Sequence, residues 1–512
     1  MKHLINLNSG WRANVLALLT GALVPLSLAP YKLWPIGLLT PLVLLLLLQG
    51  SNIKQGFFRS FLFGLGMFGA GASWVYVAIH DFAQTPPLLA GIMTAMFVSA
   101  LALVFALPFI IYCRFIKENT TGRIIGFSSI WVLGEWSRSW FLTGFPWLYI
   151  GYAHVDTWLA GWAPVLGVFS LSFFAILSST LLYSIFISRS KKALLTYTSL
   201  LLFIWSTGLY LSHRSWQTEP KDSHPDSTIS VAIIQPNIPL ELKWNPIYRS
   251  DILSILREQT SEHLDKDLIL WPEAAVPIMY HEAEEFLGEM DELANNSGTG
   301  IITGILYDDP QPGIYYNSII GIGNAGGIYF KQRLVPFGEY VPLEKWLRGL
   351  INFFDLPNSI IYPGPKQQDI LNYGQYNIAP SICYEIVYPD LVARLAKHAH
   401  LLVTISNDAW FGDSIGPMQH FQMAQMRALE NQRYVIRATN TGVSGIINPK
   451  GQISLLGEQF VREVNTYDDV KLINTITPFA RWGSLPIVGL CLIILVFSIA
   501  SRGMNQVRKA LA

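Results

Sequence analysis

In Ile378-Ala379-Pro380-Ser381-Ile382-Cys383-Tyr384-Glu385 a short, mostly apolar run, 378–382, leads to a cysteine. Five mostly apolar residues of this kind read as a buried β-strand. Cys383 then stands just past the strand's carboxyl end, where α/β domains gather their sites. Two other runs have the same form: Leu268-Ile269-Leu270-Trp271-Pro272 leads to Glu273, and Ile328-Tyr329-Phe330 leads to Lys331. Outward from these, residues 229–234, 300–306, 318–323 and 401–406 also read as buried strands. Asn324-Ala325-Gly326-Gly327 reads as a turn between two of them. Residues 251–264, 281–295, 389–398 and 418–432 carry helical spacing. The pattern predicts an α/β domain over 228–478, entered through a polar linker at 213–227.

The flanks are of another kind. Of the 512 residues 51% are hydrophobic and only 14% charged, against about 25% charged in a soluble protein. Apolar runs at 11–28, 33–50, 56–79, 88–113, 122–142, 158–187 and 193–211 precede the domain, and one at 484–500 follows it. Most reach the roughly 20 residues a bilayer-crossing helix needs. They predict a polytopic α-helical membrane domain of about eight transmembrane helices, seven in 1–212 and the eighth in 479–512. Basic residues lie in alternate connections: Lys2 and Arg12; Lys54 and Arg59; Arg114, Lys117 and Arg123; Arg189, Lys191 and Lys192; Arg502, Arg508 and Lys509. Only Lys32 breaks the alternation. The positive-inside rule then puts both termini in the cytoplasm and the α/β domain outside. Arg12 and the run ending at Leu28-Ala29 mimic a signal peptide, but Pro30 would block cleavage, so an uncleaved first span is expected. Zero net charge argues against nucleic acid as a partner. Cys113 and Cys491 sit in apolar runs, leaving Cys383 alone in the polar part. Neither a disulfide framework nor a CxxC metal site is possible there, and no cofactor or metal is expected.

A thiol is a weak nucleophile and a thiolate a strong one. A carboxylate such as Glu273 can take the thiol proton. An ammonium such as Lys331 can offset the negative charge that develops on a carbonyl oxygen under attack. Glu273, Lys331 and Cys383 therefore suffice for acyl transfer without metal or histidine. Taken singly each has a blander explanation: a small buried hydrophobe, a solvated lysine, a cap. Glu135 and Arg138, three apart in the fifth run, are either functional or an internal ion pair that eases insertion. No signal assigns His420 to a Cys-His dyad.

The words around the three residues add more. Trp271-Pro272-Glu273-Ala274-Ala275, then Lys331-Gln332-Arg333-Leu334-Val335-Pro336-Phe337-Gly338-Glu339-Tyr340, then Ile382-Cys383-Tyr384-Glu385 stand in the order of the nitrilase superfamily. Ser406-Asn407-Asp408-Ala409-Trp410-Phe411-Gly412 follows. With Gly134-Glu135-Trp136, Leu142-Thr143-Gly144-Phe145-Pro146-Trp147-Leu148, Gln235-Pro236-Asn237-Ile238-Pro239 and Lys243-Trp244, the chain over nearly its whole length resembles the bacterial apolipoprotein N-acyltransferases. The resemblance implies an α-β-β-α sandwich with Glu273 as base, Lys331 as the cation beside the oxyanion and Cys383 as nucleophile. It implies Glu339 and Glu385 as further site carboxylates, and Trp244 and Tyr384 near the substrate. It implies a membrane phospholipid donor, typically phosphatidylethanolamine, and the N-terminal diacylglyceryl-cysteine amine of apolipoproteins as acceptor. A monomer in the bacterial inner membrane, with its catalytic domain in the periplasm, is expected.

A membrane-tethered amidase of the nitrilase type, using water as acceptor, is the alternative within the enzymes. A transporter is the alternative outside them, but the paired repeats and broken helices of that class are not evident. One stretch, 346–357, is too apolar for an ordinary loop and too short to span. It is expected to form a mobile arm whose Trp346, Leu350, Phe353 and Phe354 meet the membrane interface.

Overall fold

A computed structural model describes residues 10–118, 120, 122–214, 216, 228–336, 338–340, 361–474 and 476–511, with side chains to residue 500. The expected arm at 346–357 and most of the linker lie outside the described residues. The chain forms two units: 1–214 with 413–422 and 482–512, and 215–412 with 423–481.

The first unit is helical because its runs are apolar and almost free of charge. Its main helices are Gly10–Leu23, Trp34–Leu48, Ile53–Gly71, Pro87–Ile111, Phe127–Ser137, Val168–Ile187, Lys191–Ser212 and Leu485–Leu511. Small residues let two of them touch backbone to backbone. A Cβ on Gly66 would fall 2.0 Å from the Leu18 carbonyl oxygen, so helix 53–71 lies directly on helix 10–23. Among the described residues three helices are long and apolar enough to cross a membrane: Pro87–Ile116, Val168–Ile187 and Lys191–Ser212. A fourth is added if Ile53–Gly71 and Val75–Phe82, bent by 62°, count as one span. Trp34–Leu48 and Leu485–Ala500 are apolar but shorter.

Besides 56–79, two expected runs are interrupted. The α-helix in 122–142 covers only Phe127–Ser137, and Gly144 at φ 95° and Pro146 carry the chain on in non-helical form. Run 158–187 breaks at Gly167, with φ 74°. Glu135 and Arg138 explain how that non-helical backbone is held in an apolar setting. The Glu135 carboxylate accepts from the Trp131 indole at 3.0 Å and from the Ile150 N–H at 2.9 Å. Arg138 donates to the Trp147 carbonyl at 2.9 Å, and its guanidinium lies 5.0 Å from the Phe68 ring and 5.2 Å from the Tyr149 ring. Each fastens segment 147–150; neither takes the other as its hydrogen-bond partner.

The second unit is built on two sheets. Its strands are β1 (Thr228–Gln235), β2 (Leu268–Leu270), β3 (Gly300–Asp308), β4 (Tyr315–Gly323), β5 (Ala325–Gly326), β6 (Ile328–Phe330), β7 (Leu371–Tyr373), β8 (Tyr376–Ile382), β9 (Leu401–Ser406), β10 (Val435–Thr439), β11 (Gly445–Ile447), β12 (Ile453–Leu456) and β13 (Glu463–Lys471). They pair in the orders β13-β1-β2-β3-β4-β6 and β12-β11-β10-β9-β8-β7-β5. Alternate residues of β3 face opposite ways. Ile301 and Ile305 pack into a buried cluster with Leu256, Phe286, Leu287 and Met290, from helices Arg249–Ser261 and Glu284–Ser297. Gly304, on the other face, looks at Ile405 of the second sheet. Helices thus cover the outer face of the first sheet while the two sheets meet face to face.

In the centre of each sheet the strands are parallel: β1-β2-β3 in one and β8-β9-β10 in the other. β6 is antiparallel to β4, and β4 to β3, so β6 runs in the same sense as β2. The segments that follow β2 and β6 therefore leave the first sheet in one direction.

Candidate active site

Glu273 sits in a tight turn after β2, closed against β3 by Gly304 N–H to the Pro272 carbonyl and Ala275 N–H to the Gly304 carbonyl. A Cβ on Gly304 would fall 2.8 Å from the Glu273 Cα, so only glycine lets the turn come this close. Ala274 in that turn has φ 45° and Cys383 has φ 51°. Non-glycine residues in this region cost about 1–3 kcal/mol each and cluster at functional sites.

The Glu273 carboxylate is held on both oxygens. Oε1 accepts from the Asn317 amide at 2.8 Å and the Lys331 ammonium at 3.3 Å; Oε2 accepts from the Asn407 N–H at 2.9 Å. Lys331, 1% exposed, also donates to Glu339 Oε1 at 2.9 Å. The Asn317 amide reaches that same oxygen at 2.9 Å, and Glu339 Oε2 accepts from the Val335 N–H at 2.8 Å. Glu273, Lys331, Glu339 and Asn317 form one buried network, with Cys383 in electrostatic range of Glu273 and Lys331.

Glu385 has a different place. Fully buried, it accepts from the Ile382 N–H at 2.9 Å, the Gln332 N–H at 2.7 Å, the Arg333 N–H at 3.2 Å and the Tyr329 hydroxyl at 3.0 Å. It ties the chain just before Cys383 to the chain just after Lys331, and so fixes one against the other. Tyr384 is buried with its ring 5.3 Å from that of Tyr388, while Trp244 is 43% exposed. His420 falls in segment 413–422 of the helical unit, its ring 5.8 Å from that of Trp147.

Burial by itself would push the Glu273 carboxyl up. Lys331, the Asn317 amide, Lys243 and the Asn407 N–H outweigh it and hold the group below the usual carboxylate range. Burial likewise pulls the Lys331 ammonium down, but Glu339, Glu273 and Cys383 raise it well above an ordinary lysine. Burial and then the Glu273 charge push the Cys383 thiol up, against the pull of Lys331. The resting site is thus a neutral thiol beside an ionised carboxylate and a fixed ammonium. Burial also lifts Glu385, to about 6, in spite of its three backbone N–H donors. Among the described residues no group of three or more His, Cys, Asp or Glu is placed to hold a metal ion.

Two family models match the chain: the apolipoprotein N-acyltransferase N-terminal domain over residues 20–181, and carbon-nitrogen hydrolase over 230–470. An apolipoprotein N-acyltransferase of Pseudomonas syringae is 44% identical over 491 residues, covering 95% of this chain and 96% of its own. The chain belongs to the apolipoprotein N-acyltransferase family. It is accordingly an acyltransferase, a bacterial membrane enzyme whose second unit has the carbon-nitrogen hydrolase fold. The Azotobacter vinelandii family member is 43% identical over 96% of both chains, and that of Coxiella burnetii 35% over 95% of this chain and 99% of its own. Of solved structures, the carbon-nitrogen hydrolase of Helicobacter pylori G27 is 16% identical, covers 51% of this chain and 94% of its own, and has a TM-score of 0.37.

For a member of this acyltransferase family, the residues missed at the level of sequence are instructive. Asn317 bridges two carboxylates, yet it stands in an apolar strand with no motif around it. Its one signal is a polar amide within β4, between Tyr316 and Ser318, where an inward amide needs partners. Asn407 lies within a recognised motif, but it acts through its backbone N–H, which no side-chain pattern reveals. Asp408 pairs with Arg437 at 2.6 Å, both fully buried, and accepts from Ser406 at 2.7 Å, so it anchors the turn that presents this N–H.

Proposed function

We propose that the chain moves a fatty acyl group from a membrane phospholipid to the α-amine of the N-terminal diacylglyceryl-cysteine of apolipoproteins, through a thioester on Cys383. The observation that carries this reading is Lys331, a buried ammonium shared by Glu273 and Glu339 and acting electrostatically on Cys383. In the first half-reaction the Cys383 sulfur attacks the ester carbonyl carbon as its proton passes to Glu273. Lys331 offsets the charge on the tetrahedral oxygen. Collapse breaks the ester bond; the departing alkoxide takes the proton from Glu273, and the lysophospholipid leaves. In the second, the lipoprotein amine attacks the thioester and gives its proton to Glu273. Collapse expels the sulfur, which regains that proton. An amide and the resting enzyme remain, and ping-pong kinetics follow.

The resting electrostatics suit this order. A neutral thiol does not react with chance electrophiles, and the proton transfer becomes favourable only as a carbonyl carbon bonds the sulfur. Glu339 and Glu385 are given positioning roles, the first through Lys331 and the second through the Cys383 and Lys331 segments. Trp244 and Tyr384 are assigned to substrate contact. The placement proposed is the inner membrane, with about eight spans, both termini cytoplasmic and the α/β unit in the periplasm, as the alternation of basic connections suggests. The donor proposed is phosphatidylethanolamine. A reconstitution with radiolabelled phosphatidylethanolamine and a diacylglyceryl peptide tests the whole: label should reach the peptide amine, and its appearance as free fatty acid alone would refute the transfer.

A further inference from the structure

Lys243 ends the short helix Leu240–Lys243 and is only 3% exposed. Its ammonium donates to the main-chain carbonyl of Glu273 at 3.0 Å, the one hydrogen-bond partner it has among the described residues. A buried ammonium is costly unless charge compensates it. The compensation is at hand. Two carboxylates, Glu273 and Glu339, face two ammoniums, Lys331 and Lys243, so these four groups balance in charge. Without Lys243 two carboxylates would share one ammonium.

We propose that Lys243 is a second positioning cation of the site, which locks the Glu273 turn through its carbonyl and keeps the Glu273 carboxylate ionised until it takes the thiol proton. The inference rests on Glu273 serving as base. Lys243 acts from the main-chain side of Glu273, whereas Lys331 holds its Oε1. The turn it grips is the one where Ala274 is at φ 45° and where β3 supplies hydrogen bonds from one side only. The other charged and titratable groups that bear on Glu273 or its partners are Lys331 after β6, Glu339 beyond it, Cys383 after β8, Glu385 two residues on, which acts on Lys331, and the Asp408–Arg437 pair after β9 and β10. Burial draws Lys243 down to about 8, against the pull of Glu273, which leaves it protonated at neutral pH and close to losing its charge above it.

Two substitutions separate the charge from the hydrogen bond. Lys243→Gln keeps a donor for the Glu273 carbonyl and removes the charge; Lys243→Arg keeps both. The readout is the rate of Cys383 acylation by phospholipid in a single turnover, followed by intact mass from pH 3 to 9, a range that reaches below the usual carboxylate range where Glu273 rests. Lys243→Gln should move the acid limb of the profile upward by about one unit, tenfold in the protonation equilibrium of Glu273, with little change in the phospholipid concentration at half-saturation. Lys243→Arg should leave the limb near its wild-type position. An equal loss at every pH in both variants, or a limb that moves in neither, would overturn the role. If Lys243→Gln does not fold, Lys243→Met, which removes both the charge and the donor, should still move the acid limb upward, and a limb left in place would overturn the role. A wild-type profile with no acid limb would instead refute Glu273 as the base, so the two failures are distinct.

Discussion

Replacing Asn317 by aspartate changes one atom group at the centre of the network. The amide nitrogen lies 2.8 Å from Glu273 Oε1 and 2.9 Å from Glu339 Oε1. A carboxylate oxygen in its place would meet two like charges. At 2.8 Å and an effective dielectric of about 20, one such contact costs about 6 kcal/mol, or about four pKa units. Three ionised carboxyls cannot coexist there, so the cluster takes up a proton and titrates as a unit. Losing the donor alone, as in Asn317→Leu, forfeits a hydrogen bond to a charged group, about 1.5–3 kcal/mol, or about one to two units on Glu273. Because Glu273 rests below the usual range, its base form is lost as pH falls through its pKa, and a raised pKa moves that loss toward neutrality. Single-turnover acylation of Cys383, measured by intact mass across pH, should show the acid limb shifted upward in the order wild type, Asn317→Leu, Asn317→Asp. At pH 6.5 the Asn317→Asp rate should fall by at least about tenfold. Equal losses in the two variants at every pH would mean that Asn317 serves packing alone, and the electrostatic account of the base would fail.

Other expectations follow from single residues. Glu385, raised to about 6, binds a proton when folded that the unfolded chain releases; its stabilising share is full below about 4.5 and lost as pH rises through 6. Relative to Glu385→Gln, wild type should lose about 2 kcal/mol of stability between pH 4.5 and 7 in melts of the detergent-solubilised protein, and a constant difference would contradict it. Glu385→Ala leaves four donors without their acceptor, so both melting temperature and acylation should drop; unchanged acylation would count against its positioning role. Arg138→Met removes the donor that holds the Trp147 carbonyl and should lower stability by about 1–3 kcal/mol. In a cysteine-free background, Asn296→Cys should react with an impermeant thiol reagent on intact spheroplasts and Lys192→Cys should not; the reverse pattern would invert the topology.

The strands that carry the site were legible because each is a short apolar run ending in a polar residue. Residues 268–270 and 401–406 coincide with β2 and β9, and β1, β3, β4 and β8 extend the expected runs by one to three residues. β13 was not legible. Glu463–Lys471 is charged and half-exposed, and it is a strand because β1 offers an antiparallel edge, which is a tertiary cause. β11 and β12 are short and gain their pairing in the same way, β11 from β10 and β12 from β11. In the helical unit, hydropathy marked where the chain is apolar but not where it stops being helical. The interruption after Ser137 depends on Glu135 and Arg138 supplying partners for backbone groups, which no window average records. In the site, side-chain identities were legible through motifs. What holds the charge state of Glu273, the hydrogen bonds from Asn317 and Asn407 and the charge of Lys243, comes from segments distant in sequence and emerges only on folding.

The central claim is that the acyl group rests on Cys383 between donor and acceptor. Intact mass spectrometry of the purified protein after incubation with phosphatidylethanolamine tests it most directly. One fatty acyl adduct should appear, map to Cys383, be absent in Cys383→Ala, and vanish with formation of an amide when a diacylglyceryl peptide amine is added. Transfer to the peptide at an undiminished rate in Cys383→Ala, or an adduct that forms on another residue and discharges at the rate of turnover, would contradict the account.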